Sequence, residues 1–230
     1  MTHGDSLTRT VEATHRSLED RLAACLAPPG DDRPARETHT QSDAFLAATS
    51  RHVSAVEAVL LPAAGRSGPT SDALVHGYLE AARELEQTLT TLKARLYGGS
   101  QVAALSWPGL WAVVRQQLAE HNRLERALVE LLQDAEPERL DALARQLFDA
   151  ETRGPTRPHP HLPHTGAAGR VARRVWAVAD RFWDSAEGRV IPQPVRAPAH
   201  RHDSLLAQYL VGDPHFDDSA KLRDRRHPPR

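Results

Sequence analysis

From Ser6 to about Ala150, apolar side chains recur every three to four residues, and no stretch alternates in the way a strand requires. That period lays apolar residues along one face of a helix, so this part of the chain has to fold as helices packed face to face. Val11, His15, Leu18, Leu22 and Leu26 share one face, ended by "PPGDD". A second helix is expected from near Asp43, with Phe45, Ala48, His52, Val56, Val59 and Leu60 inward, and it should stop at Pro62. Val75, Leu79, Ala82, Leu85, Leu89, Leu92 and Leu96 mark a third, closed by "YGGS". The fourth should run from Trp107 to Gln133 with Val114, Leu118, His121, Leu124, Leu128 and Leu131 inward. Pro137 opens a shorter helix to about Ala150.

Four long amphipathic helices joined by mostly short turns predict an all-α, antiparallel up-down four-helix bundle over residues 1–150. The character changes at "GPTRPHPHLPHTG", residues 154–166. Residues 151–191 read as a proline- and histidine-rich strap followed by a docking helix, with Val171, Val175, Trp176, Val178 and Trp183 expected to pack on the bundle. Its arginines and two tryptophans also fit a membrane-surface or partner-docking helix, although the acidic end "DSAEGR" favours packing. Residues 192–230 are polar and proline-rich and are expected to be a disordered tail.

Bulk properties remove several functions. The 230 residues carry 29 basic and 30 acidic side chains, a formal net charge of −1, so no general nucleic-acid-binding surface is expected. The one cysteine, Cys25, permits no intramolecular disulfide. No signal peptide and no transmembrane segment of roughly 20 apolar residues are visible, and the expected location is the cytoplasm. The chain lacks a nucleophile elbow, a glycine-rich phosphate loop, CxxC and HExxH, so binding is expected rather than catalysis.

The 13 histidines are distributed unevenly. His15, His52, His76 and His121 fall one to each long helix, and His15, His52 and His121 lie on the apolar stripe near mid-helix. Rigid helices converge such residues at one level, and imidazole with carboxylate is the donor set for iron, zinc, copper or nickel. Glu125, four residues after His121, shares its face. Each inward histidine also fits a hydrogen-bonded core position without metal. In the strap, His159, His161 and His164 have HxHxxH spacing, a second set of candidate ligands on a backbone that also fits a rigid connector.

Over residues 7–134 this layout resembles the hemerythrin-like, or HHE cation-binding, family. The resemblance rests on "HVSAVEAVLLP" in the second helix, the lone His15 of the first, and the His121–Glu125 pair of the fourth. It implies a non-heme iron centre in a bundle that binds oxygen or senses oxygen, nitric oxide or iron. The family's carboxylate position in the second helix holds Val56, with Glu57 about 100° further round. Ala82 stands where the third helix should carry a histidine, and His76 lies near that helix's first turn. The expected metal ligands are therefore His15, His52, His121, Glu125 and Glu57, with His76 and the strap histidines as further candidates. A metal-free, partner-binding helical module is the alternative. A di-iron oxidase needs Glu-x-x-His on two inward faces, and only Glu12 precedes its histidine correctly.

Overall fold

The computed structural model describes residues 5–27, 35–66, 68, 70–99, 102, 104–161 and 166–196. Among them there are six helices and no strand: α1 (Asp5–Leu26), α2 (Ala35–Ala64), α3 (Thr70–Leu96), α4 (Trp107–Glu130), α5 (Pro137–Arg153) and α6 (Gly166–Glu187). The all-helical expectation holds. The distal tail, residues 197–230, lies outside the described residues.

α2 is the central element and packs against α1, α3, α4 and α5. Every residue from Thr49 to Glu57 is buried, because neighbours cover this helix on nearly all sides. That explains why His39–Ala64 contains an 18-residue window apolar enough to pass for a membrane span while 78% of that window is buried in the protein. α2 begins earlier than expected, at Ala35, and continues two residues beyond Pro62. Pro62 sits in the final turn, where one absent N–H donor costs little, and Gly65 N still closes on the Leu61 carbonyl at 2.9 Å.

On α3 the buried seam is Tyr78, Ala82, Leu85, Leu89 and Leu92, each 0% exposed. Val75, Leu79 and Leu96 are only half-buried at its edge. The 4-3-4-3 spacing of that seam is the narrow stripe of a helix facing one groove. α4 starts at Ser106, whose hydroxyl accepts from Gly109 N at 3.2 Å, with Pro108 in the first turn. A side chain at Gly109 would place its Cβ 2.7 Å from that hydroxyl, so the cap itself requires glycine.

α5 packs on α1 and α2 and closes the core with Leu140, Leu143 and Leu147. Its end presses tightly on α2. A Cβ on Gly154 would lie 3.3 Å from the Cα and carbonyl oxygen of Arg51, so glycine allows this approach beside His52.

α6 reverses the expected orientation. Val171 is 61% exposed, Val175 59%, Val178 64%, Trp183 54% and Trp176 40%, so these residues do not dock it on the bundle. The inward residues are Gly169, Ala177, Asp180 and Asp184. Asp180 accepts from the backbone N–H groups of Thr156 at 2.8 Å and Arg157 at 3.0 Å. Asp184 accepts from the Thr156 hydroxyl and from Arg189 at 2.6 Å. Arg189 also reaches Asp43 of α2 at 3.3 Å, and Arg51 donates to the Pro192 carbonyl at 3.0 Å. The strap has buried backbone donors that need acceptors, and the two aspartates supply them. That requirement, which periodicity does not register, turns the polar side of α6 inward. Residues 192–196, assigned to the tail from sequence, are irregular in structure, and the Arg51–Pro192 bond holds their start to α2.

Candidate metal centre

His15, His52, His121 and Glu125 converge inside the bundle, and one ligand atom from each lies within 4.8 Å of all the others. Their exposures are 2%, 1%, 0% and 0%, so bulk water does not reach them. The His15 and His52 rings are 5.2 Å apart and those of His52 and His121 are 5.7 Å apart. The common level expected from mid-helix positions on α1, α2 and α4 is therefore present.

Glu125 is the hub. Its Oε2 accepts from Nε2 of His15 at 2.9 Å and from Nε2 of His52 at 2.8 Å. Nδ1 of His121 lies 3.7 Å from the same oxygen, as the i, i+4 spacing on α4 dictates. Two further residues hold the imidazoles from behind. His52 Nδ1 donates to Glu151 Oε1 of α5 at 2.8 Å, and His121 Nε2 is bonded to the Tyr78 hydroxyl of α3 at 2.5 Å.

Burial lowers the pKa of a histidine, but for His52 the Glu125 and Glu151 carboxylates outweigh it and push the value up to about 10. Burial opposes ionisation of Glu125 as well, and the His52 and His15 rings reverse this and hold its carboxyl well below the usual range. His121 lacks a comparable partner. Burial drives it down to about 3, with Glu125 opposing and the other two histidines reinforcing the shift. Burial, followed by the Glu125 charge, holds Tyr78 well above the usual phenol value. The metal-free centre thus sets the Glu125 carboxylate against a cationic His52, with a neutral His121 at the far side.

Three buried polar atoms here lack a hydrogen-bond partner: His15 Nδ1, His121 Nδ1 and Glu125 Oε1. Most buried polar atoms in folded proteins are satisfied, so three orphans in one cluster call for a physical reason. All three, two imidazole nitrogens and a carboxylate oxygen, are of the kind that bind a metal ion. Four donors at tetrahedral bond lengths of about 2.0–2.2 Å stand roughly 3.4 Å apart, so a modest contraction would form a site.

The other expected ligands lie elsewhere. Glu57 is buried but is not one of the converging residues, and Arg173 of α6 approaches it at 3.6 Å. Five residues beyond His52, it stands about 140° round the helix, which points it toward α6 instead of α4. His76 is 75% exposed and pairs with Glu80 at 3.2 Å, because it sits outside the α3 seam. His159 turns to Asp180 at 3.3 Å and its ring lies 4.6 Å from Trp176, while His161 is exposed. His164 lies outside the described residues. Of the HxHxxH set, the two described members do not converge.

Glu151 and Tyr78 are the residues that sequence reasoning missed. Glu151 continues the stripe Leu140, Leu143, Ala144, Leu147 by one more turn, and a carboxylate at the end of an apolar stripe is a readable signal. Tyr78 lies seven residues before Leu85 on the same face, and a tyrosine there must find a partner for its hydroxyl.

No known family model, no curated protein and no solved structure matches this chain. Fold and site together define its class: an all-helical protein with a buried three-histidine, one-carboxylate group able to hold a metal ion.

Proposed function

We propose that this chain is a diverged hemerythrin-like protein whose α1–α4 form an up-down bundle around one non-heme metal ion, used in oxygen, redox or metal sensing or in storage. The observation that carries this reading is the convergence of four buried donors with orphaned lone pairs among them. His52 would bind through Nε2 and His121 through Nδ1, the nitrogens that face Glu125, while their other nitrogens stay with Glu151 and Tyr78. Such outer partners fix the tautomer and aim the ring, as at many histidine metal sites. Iron bound there supplies redox response and affinity for a diatomic ligand; zinc suits the same donors without either. A bridged metal pair lacks donors, since the positions nearest the family pattern hold Val56 and Ala82, both 0% exposed. Enclosure of the site favours binding and sensing over turnover of a sizeable substrate, because only a small ligand fits beside side chains at most 2% exposed.

The test is the metal content and visible spectrum of the full chain purified without a histidine tag, followed by calorimetric titration with ferrous and zinc ions. One ion per chain is expected, with affinity reduced at least about tenfold by Glu151→Gln, since outer partners are worth about 10–100-fold. Absence of binding to either metal would refute the proposal. The second reading, a metal-free partner-binding module, draws on the uncovered apolar side of α6.

A further inference from the structure

That outward side of α6 carries six of the twelve exposed large hydrophobic residues among the described residues. At 100° per residue, Val171, Val175, Val178 and Phe182 fall within an arc of about 60°. They are 61%, 59%, 64% and 67% exposed, so they form a ridge and not the wall of a groove. Trp176 and Trp183 occupy one shoulder of this ridge, and the exposed Arg170, Arg174 and Arg181 occupy the other. Phe182 and Trp183 contact each other edge to face, with centroids 5.6 Å apart. Monomeric proteins seldom leave such a continuous apolar strip in water.

The charges are sorted as well. Asp180 and Asp184 are 2% and 5% exposed and are bound to the strap and Arg189. Glu187, at the end of the helix, is held by Arg157 at 2.9 Å. From Gly166 to Ala186 the outer surface therefore carries arginine and no carboxylate.

We infer that α6 seats the protein on an anionic lipid surface. An in-plane helix with aliphatic and aromatic residues below, tryptophans at headgroup depth and arginines reaching lipid phosphates has this arrangement. A convex ridge suits a bilayer, which deforms around it, whereas an apolar peptide helix is normally received in a groove. Antiparallel self-pairing is disfavoured by charge, because that two-fold contact would set each arginine shoulder against its own copy. The inward aspartates have a definite role here: they fix α6 to the strap by polar contacts and leave its apolar side free. This inference does not depend on metal binding.

The experiment is co-sedimentation of the full chain with phosphatidylcholine vesicles, with and without phosphatidylglycerol, alongside tryptophan emission. Binding is expected only with phosphatidylglycerol, weakened by salt, and accompanied by a blue shift from Trp176 and Trp183. Val175→Asp and, separately, the triple change of Arg170, Arg174 and Arg181 to Gln should each reduce partitioning by about tenfold or more. These side chains are exposed, and the bond given up by Arg181, to the Arg153 carbonyl at 3.1 Å, is itself at the surface, so the variants keep the fold, which circular dichroism checks. Failure to bind anionic vesicles, binding indifferent to phosphatidylglycerol, or binding retained in Val175→Asp would overturn the inference. So would a lipid-free dimer that Val175→Asp dissociates, or capture of a synthetic acidic amphipathic helix in place of vesicles.

Discussion

Glu125→Gln is the sharpest perturbation of the centre. Glutamine preserves the volume of a side chain that is 0% exposed, so no cavity opens. What disappears is the charge that accepts from His15 and His52 and contributes most to keeping His52 protonated. Breaking a buried ion pair by removing one partner costs about 3–5 kcal/mol. His52 keeps its bond to Glu151, which places the cost near the lower end, about 3 kcal/mol. For a chain of this size each kcal/mol lowers Tm by about 2–4 °C, so the expected fall is roughly 6–12 °C. The assay is thermal unfolding followed by circular dichroism at neutral pH, in chelator, with His52→Gln and the double variant completing a cycle. The double variant should be less destabilised than the sum of the singles. A Glu125→Gln protein that melts within about 2 °C of the parent, or strict additivity in the cycle, would refute the charged network.

Three further outcomes are expected. In chelator, stability should peak near pH 6.5 and fall on both sides. His52, raised from 6.5 to about 10, stabilises fully below 6.5, and this contribution is lost as pH rises through 10. His121, lowered from 6.5 to about 3, is kept neutral by the fold, so stability drains as pH falls below 6.5, joined in acid by the depressed Glu125; urea midpoints across this range would check both limbs. Val56→Glu should destabilise the metal-free protein by several kcal/mol, since an unpaired carboxylate would enter a position 0% exposed, and added zinc or iron should restore part of the loss in a melt. Tyr78→Phe should cost about 1–3 kcal/mol in denaturant titration by leaving His121 Nε2 without a partner.

The sequence alone determined that this chain is helical and which three histidines meet. Period decides that, because His15, His52 and His121 sit in register with leucines that have to be buried, and Glu125 follows four residues behind one of them. The same logic carried most core leucines of α1, α3 and α4, such as Leu18, Leu22, Leu85, Leu89, Leu118 and Leu128, but Leu26, expected inward at the end of α1, is 38% exposed, and Leu79, Leu96 and Leu131 are half-buried at the edge. Only tertiary structure decided what stands behind the ligands. Glu151 reaches His52 because Gly154 lets α5 press on α2, and that approach is a property of two helices, 99 residues apart, which no local pattern encodes. Tertiary structure also decided which way α6 faces. Its strong apolar period predicted burial of the valines and tryptophans, but the strap's backbone donors and Arg189 needed Asp180 and Asp184 as acceptors. A buried donor left unsatisfied costs about 1–3 kcal/mol each, and several occur together here, whereas an apolar face can be covered by something outside the chain.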